Sequence, residues 1–367
     1  IDALFISHEL SESGAPLVLY YAVQAFVESG GFAVVLTRED GPFRARFEAL
    51  GVPVICDSLL FSSPDSQQKL LSVFDVVVAN TYLCWQYVGV AERAHVPLLW
   101  YLHESHAVDH LAAREPGFYQ ALGQARNLIV GSPRSLQHCS ETNPGARLLT
   151  YGVTDFARPT ADTADARANE KIIVSVLGSL EWRKGQDIFI QAIERLPESL
   201  RAQAEFRIVG RPLLPDFEVM VKQLAESLPC VRFLRSVDLS GYQELLLSSD
   251  IVVCPSRDDT LPLVTLDALG CGKALVVSNA TGTMDFFTHG REGMVFASED
   301  AAHLALCLER LLSDAELRQR MGRAARELFL RKFSLPAFRQ RFLDALLAVA
   351  RPPAAPARPA AAVGAAA

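Results

Sequence analysis

Short apolar runs alternate with amphipathic segments along most of the chain. In the first half the runs are "DALFIS", "FAVVLTR", "VPVIC", "FDVVVAN", "VPLLWYLH", "NLIVGS" and "ARLLTYG". Between them, residues 15–29, 42–50, 82–95 and 133–142 carry helical spacing or caps. Strands that are apolar throughout, each followed by a helix, predict βα units on a parallel sheet covered on both faces. The pattern pauses at "TDFARPTADTADARANE", residues 154–170, which is polar and lacks apolar periodicity, so it predicts a linker. A second series follows: "KIIVSVLGS", "AEFRIVG", "VRFLRSV", "DIVVCPS", "KALVVSN" and "GMVFAS". Helices are then predicted at 300–312, 314–331 and 335–349, and the Pro/Ala-rich segment 351–367 is expected to be disordered.

This pattern predicts an α/β protein of two doubly wound, Rossmann-like domains. The expected divisions are an N-terminal domain at 1–153, a linker at 154–170 and a C-terminal domain at 171–334. A helix at 335–350 and the terminal segment complete the chain. In such folds, ligands bind at the carboxyl ends of the strands, here in the cleft between the domains. Half of the 367 residues are hydrophobic, enough for two cores. Residues 1–165 hold 10 Lys+Arg against 18 Asp+Glu, while the remainder holds 25 against 24. No basic stripe interleaved with aromatics appears, so nucleic acid is not expected as a partner. The seven cysteines show no Cys-x-x-Cys spacing and predict reduced thiols in a cytoplasmic protein. Residues 317–333, "LRQRMGRAARELFLRKF", form a basic amphipathic pattern, suited to a solvated face or to peripheral contact with the inner face of an anionic membrane.

Four segments carry candidate chemistry. In "PSRDDTLPLVTLDAL", Asp259 and Asp267 stand eight positions apart behind a core strand. Thr260 is the predicted N-cap, with Leu261, Pro262 and Leu263 opening the helix, whose free N–H groups suit a diphosphate. Asp259 would reach beyond the phosphate, and Asp267 offers two acceptors to paired hydroxyls such as those of a ribose. Spacing alone leaves open that Asp259 merely caps a loop and Asp267 is a solvated helix residue. In "VLGSLEWRKGQD", Arg183 and Lys184 follow a strand and can meet phosphate oxygens. In "SHELSESGAPLVLYY", Gly14 permits close backbone approach, although the segment is neither a dinucleotide fingerprint nor a Walker loop. In "WYLHESHAVDH", His103 ends an apolar strand beside Glu104 and His106. The spacing is not His-Glu-x-x-His, and no metal is expected.

In this order the segments resemble family 4 of the retaining GT-B glycosyltransferases over most of residues 1–349. Asp259 and Asp267 fall on the family's Glu-x7-Glu element, both shortened by one methylene. "GSLEWRKG" is similar to its Gly-Arg-Leu-x-x-x-Lys-Gly element, with Ser179 at the Arg position. "TYGVTD", His103–Glu104 and "NATGTMDFFTHGREGMVF" resemble its hinge, His-Asp step and glycine loop. The resemblance implies a cytoplasmic enzyme moving a sugar from a UDP or GDP donor to a glycan or glycolipid acceptor, without a metal, in bacterial surface polysaccharide or glycoconjugate assembly. It implies catalytic roles for His103, Lys184 and Asp259. Donor binding would fall to Gly14, Arg183, Gly210, Arg235, Thr260, Leu261, Pro262, Leu263 and Asp267, and the acceptor side to Glu104 and His106. It also implies that the last helix crosses back onto the N-terminal domain. The alternatives are a catalytically inactive GT-B module of a larger protein, a glycoside hydrolase, a two-domain sugar-binding protein and a nucleotide-sugar epimerase.

Overall fold

A computed structural model describes residues 1–59, 63–157 and 171–350. The expected linker residues 158–170 and the terminal segment 351–367 lie outside the described residues. The N-lobe holds strands β1 (Asp2–Ser7), β2 (Phe32–Thr37), β3 (Val54–Cys56), β4 (Val76–Asn80), β5 (Leu98–Leu102), β6 (Leu128–Val130) and β7 (Arg147–Leu148). Its helices are α1 (Gly14–Glu28), α2 (Phe43–Ala49), α3 (Pro64–Leu71), α4 (Gln86–Ala94), α5 (His106–Arg114), α6 (Pro116–Gln124) and α7 (Pro133–Ser140). The C-lobe holds β8 (Ile172–Leu177), β9 (Ala204–Val209), β10 (Val231–Leu234), β11 (Ile251–Cys254), β12 (Ala274–Ser278) and β13 (Met294–Phe296). Between and after these run α8 (Gln186–Arg195), α9 (Glu198–Ala202), α10 (Pro215–Leu224), α11 (Leu239–Ser248), α12 (Leu263–Gly270), α13 (Ala301–Ser313), α14 (Ala315–Lys332) and α15 (Leu335–Ala350).

Each apolar run predicted as a strand contains one, although several are shorter than their sequence runs. The single helix expected at 82–95 is instead a 3-10 turn at Tyr82–Cys84 followed by α4. Both sheets are parallel, in the orders β3-β2-β1-β4-β5-β6-β7 and β10-β9-β8-β11-β12-β13. Strand order therefore reverses beside β1 in one sheet and beside β8 in the other. The crevices that open there, past the ends of β1/β4 and β8/β11, are where this topology admits a ligand.

The lobes are joined by two crossings that lie side by side. The Val153 N–H donates to the Phe333 carbonyl at 2.9 Å. Gly152 leaves no room for a side chain, because an added Cβ would stand 2.7 Å from the Ser334 carbonyl oxygen. Past this point α15 returns to the N-lobe and buries Phe338, Phe342 and Leu346. The Phe342 ring lies 6.4 Å from that of Phe5 in β1, and Arg339 pairs with Glu28 of α1 at 2.7 Å. Burying each such apolar side chain contributes roughly 1.5–3 kcal/mol. The same apolar cluster continues through Phe333 and Phe329 to Leu266 of α12, so packing couples the two lobes.

Candidate active site

The loop after β8 is shaped by two glycines. Gly178 (φ 148°) and Gly185 (φ 69°) adopt backbone angles that favour glycine. At Gly185 a Cβ would also stand 2.1 Å from the Pro255 carbonyl oxygen. The loop therefore lies directly on the segment following β11, and this brings Arg183 and Lys184 to Asp259. The Lys184 ammonium donates to Asp259 Oδ2 at 2.5 Å, and Arg183 approaches the same oxygen at 3.4 Å. Arg183 also donates to the Asp258 carbonyl at 3.0 Å and to Glu181 at 3.1 Å. Burial works against the Lys184 charge, but the Asp259 carboxylate and its neighbours reverse that, leaving the ammonium pKa above its ordinary value.

Helix α12 starts later than the sequence predicts. Pro262, not Thr260, occupies the N-cap position, so Thr260 and Leu261 belong to the loop. The cause is tertiary. The Asp259 N–H donates to the Ala280 carbonyl at 3.2 Å, and Gly282 N–H donates to the Asp259 carbonyl at 2.8 Å. These bonds hold the chain extended alongside Thr281 until Pro262. Gly282 is required there, since a Cβ would stand 1.9 Å from the Thr260 carbonyl oxygen.

Asp267 lies in the second turn of α12. It is buried, 7% exposed, which removes the solvated alternative. The Tyr242 hydroxyl on α11 donates to it at 2.7 Å. Burial raises its pKa to about 7, and the Tyr242 bond only partly opposes the shift.

The N-lobe closes on the 260–263 segment. Ser105 and Thr260 share a hydroxyl–hydroxyl bond at 3.0 Å. The Tyr151 hydroxyl donates to the Leu261 carbonyl. Gly14, at the start of α1, faces Leu263, whose Cδ1 would be 3.6 Å from an added Cβ. Arg134 of α7 donates to the Asn279 carbonyl at 2.9 Å. His103, past the end of β5, packs between Tyr101 and Tyr151, tilted against the first and edge-on to the second, with ring centroids at 4.4 and 5.7 Å. Its Nε2 meets Asn80 Oδ1 at 2.6 Å, while its buried Nδ1 has no partner. Burial, with His8 nearby, lowers its pKa to about 3, so the ring is neutral. Glu104 accepts backbone N–H bonds from His103 (3.0 Å) and Tyr82 (3.2 Å), yet burial raises it to about 7.

Thus Lys184, Arg183 and Asp259 come together, and Thr260, Leu261, Leu263, His103 and Gly14 line the contact between lobes. Asp267 sits one layer deeper. Gly210 follows β9 and packs on Gly178, while Arg235 is exposed beyond β10, one strand farther out. His106 opens α5, but its side chain lies outside the described residues. Among the described residues, no three His, Cys, Asp or Glu side chains group as metal ligands. No described helix is long and apolar enough to cross a membrane.

Several residues of the site escape sequence reasoning. Arg257 forms a bidentate pair with Asp187 of α8 at 2.9 and 2.7 Å, donates to the Trp182 carbonyl at 2.7 Å and stacks on the Trp182 ring at 4.4 Å. It staples the loop after β8 to the loop after β11. Both residues lie within recognised segments, but nothing local pairs positions 70 apart. Tyr242 and Asn80 read as ordinary helix and strand residues, and Tyr151, although inside the hinge-like "TYGVTD", carried no signal of its bond to Leu261.

Two family models match the chain. "Glycosyl transferases group 1" covers residues 158–328 and "Glycosyl-transferase family 4" covers 2–133. Glycogen synthase of Mycobacterium tuberculosis is 26% identical over 266 residues, 69% of this chain and 64% of that protein. Alpha-D-kanosaminyltransferase of Streptomyces kanamyceticus is 29% identical over 205 residues, 52% of this chain and 50% of that protein. The matched region thus spans less than two-thirds of the length of these curated relatives. Among solved structures, Anabaena HepE in complex with UDP and glucose superposes with a TM-score of 0.79 at 21% identity, over 94% of this chain and 99% of that one. Sucrose-phosphate synthase of Thermosynechococcus elongatus gives 0.73 at 19% identity, over 94% and 97%. With its paired parallel sheets and both family models matched, the chain belongs to the group 1 glycosyltransferases of family 4 and has their GT-B fold.

Proposed function

We propose that the protein transfers a sugar from a nucleoside diphosphate, UDP or GDP, to a hydroxyl of a glycan or glycolipid acceptor, with retention at the anomeric carbon. The observation that carries this reading is the convergence of Lys184, Arg183 and Asp259 past the ends of β8 and β11, under the N-lobe. In the reaction the bond from the anomeric carbon to the diphosphate breaks and the bond to the acceptor oxygen forms on the same face. The acceptor proton passes to the departing phosphate oxygen. Negative charge grows on the diphosphate, and Lys184 and Arg183 stabilise it without calling for a metal ion. In the ligand-free protein Asp259 holds both cations. The diphosphate competes for them and releases the carboxylate toward the sugar hydroxyls.

Asp267 is assigned the ribose hydroxyls, Gly14 the phosphates from the opposite wall, and Gly210 and Arg235 the border of the base. His103, neutral and tied to Asn80, presents an uncharged ring to the sugar. Glu104 and His106 lie on the acceptor side. HepE has been crystallised with UDP-glucose, which supports a UDP-sugar. The proposed setting is cytoplasmic assembly of bacterial surface polysaccharide or glycoconjugate, with peripheral contact at the inner membrane face. Lys184→Ala is expected to lower kcat by about 100-fold or more. Near-normal turnover by that variant would remove the mechanism. A thermal-shift screen with UDP, GDP, ADP and TDP identifies the base.

A further inference from the structure

A cavity of about 720 Å³ opens between the lobes, beside the donor loops. Asp109 of α5 and Arg134, Gln137, His138 and Glu141 from α7 and its end form one wall, and Asp285 of the C-lobe forms the other. The volume falls within the roughly 300–1,000 Å³ of small-molecule sites. Its position is tied to the donor site by backbone. Arg134 crosses the gap to the Asn279 carbonyl, Ala280 and Gly282 hold Asp259, and Asp285 follows in the same turn. A ligand in this cavity therefore touches Asp285, in the turn that continues the segment paired with Asp259.

We infer that this cavity is the acceptor subsite, and that it takes a neutral or amino-bearing sugar and disfavours one bearing phosphate or carboxylate. The inference rests on the transferase reading above and adds the acceptor class. The lining is rich in acceptors for sugar hydroxyls and ammonium groups. Three carboxylates, Asp109, Glu141 and Asp285, stand in this lining against one guanidinium, Arg134, which also donates to the Asn279 carbonyl at 2.9 Å, and Asp109 meets His138 Nδ1 at 2.5 Å. Glu141 at the end of α7 then meets an entering anion with like charge. Such juxtaposition is costly and sets specificity more than affinity.

The test is saturation-transfer NMR on the full chain with UDP present, using glucose, glucosamine, glucuronate and glucose 6-phosphate as probes. Glucose and glucosamine are expected to bind at least about tenfold more tightly than the two anions. The double variant Glu141→Lys/Asp285→Lys is expected to reverse that order, and Asp285→Asn alone to narrow it. Equal or tighter binding of the anions, an order unmoved by either variant, or no binding of glucose and glucosamine would overturn the inference. If UDP itself fails to bind, the transferase reading falls first. If UDP binds and the sugars behave otherwise, only the acceptor assignment falls.

Discussion

Replacing Asp267 by Asn separates what the protein gives up in stability from what it gains at the site. The folded carboxyl has a pKa of about 7 against an ordinary 3.8, because burial disfavours its charge. A raised folded pKa contributes stability below the unfolded value, and this is lost as pH rises toward the folded value. Between pH 4 and 7 the unfolded chain ionises while the folded one stays protonated. Wild type therefore loses about 1.4 kcal/mol per pH unit, on the order of 4 kcal/mol in all, and nothing more above pH 7. Asn cannot ionise and still accepts the Tyr242 bond, so the variant is expected to lack this loss. Glu104, also raised to about 7, titrates in both proteins and cancels in the difference. The assay is calorimetric melting of both proteins from pH 5 to 8.5. Their Tm difference should grow by roughly 2 °C per pH unit up to pH 7, in favour of the variant, and then level off. At pH 8, where the wild-type carboxyl is ionised, the same variant should bind the nucleoside diphosphate roughly tenfold or more weakly, through the lost charged hydrogen bond to ribose. Parallel Tm curves would refute the electrostatic reasoning. A more stable variant with undiminished affinity would refute the ribose role.

Arg257→Ala leaves the Asp187 carboxylate buried without its fork, both side chains being only 10% exposed. A loss of about 3–5 kcal/mol is expected by chemical denaturation, and an unchanged midpoint would show the staple to be idle. Gly282→Ala forces the chain off the Thr260 carbonyl, so both melting temperature and diphosphate affinity should fall; retention of both would contradict the close approach. Tyr151→Phe removes one bond between the lobes, at about 1 kcal/mol, and should speed hydrogen exchange around Leu261–Thr265. Unaltered exchange there would mean that this bond does not hold the closed form.

The alternation of apolar runs and helices was enough to locate the strands of the two sheets, because burial on both sheet faces imposes a local pattern on each strand. Lys184, Asp259 and Asp267 stood out as candidates, since the glycines, cations and carboxylates of each loop lie within a few residues of one another, and the fold brings Lys184 to Asp259. The start of α12 at Leu263 could not, because it depends on Asp259 pairing with a segment more than twenty residues away. The pairing of Arg257 with Asp187, the burial of Asp267 under Tyr242 and the closure of Ser105 and Tyr151 onto the 260–261 loop were equally invisible. Each joins positions far apart in the chain, whose meeting is set by sheet order and by the return of α15. Sequence alone determined which groups could do chemistry; tertiary structure decided which were charged, which were paired and what each faces.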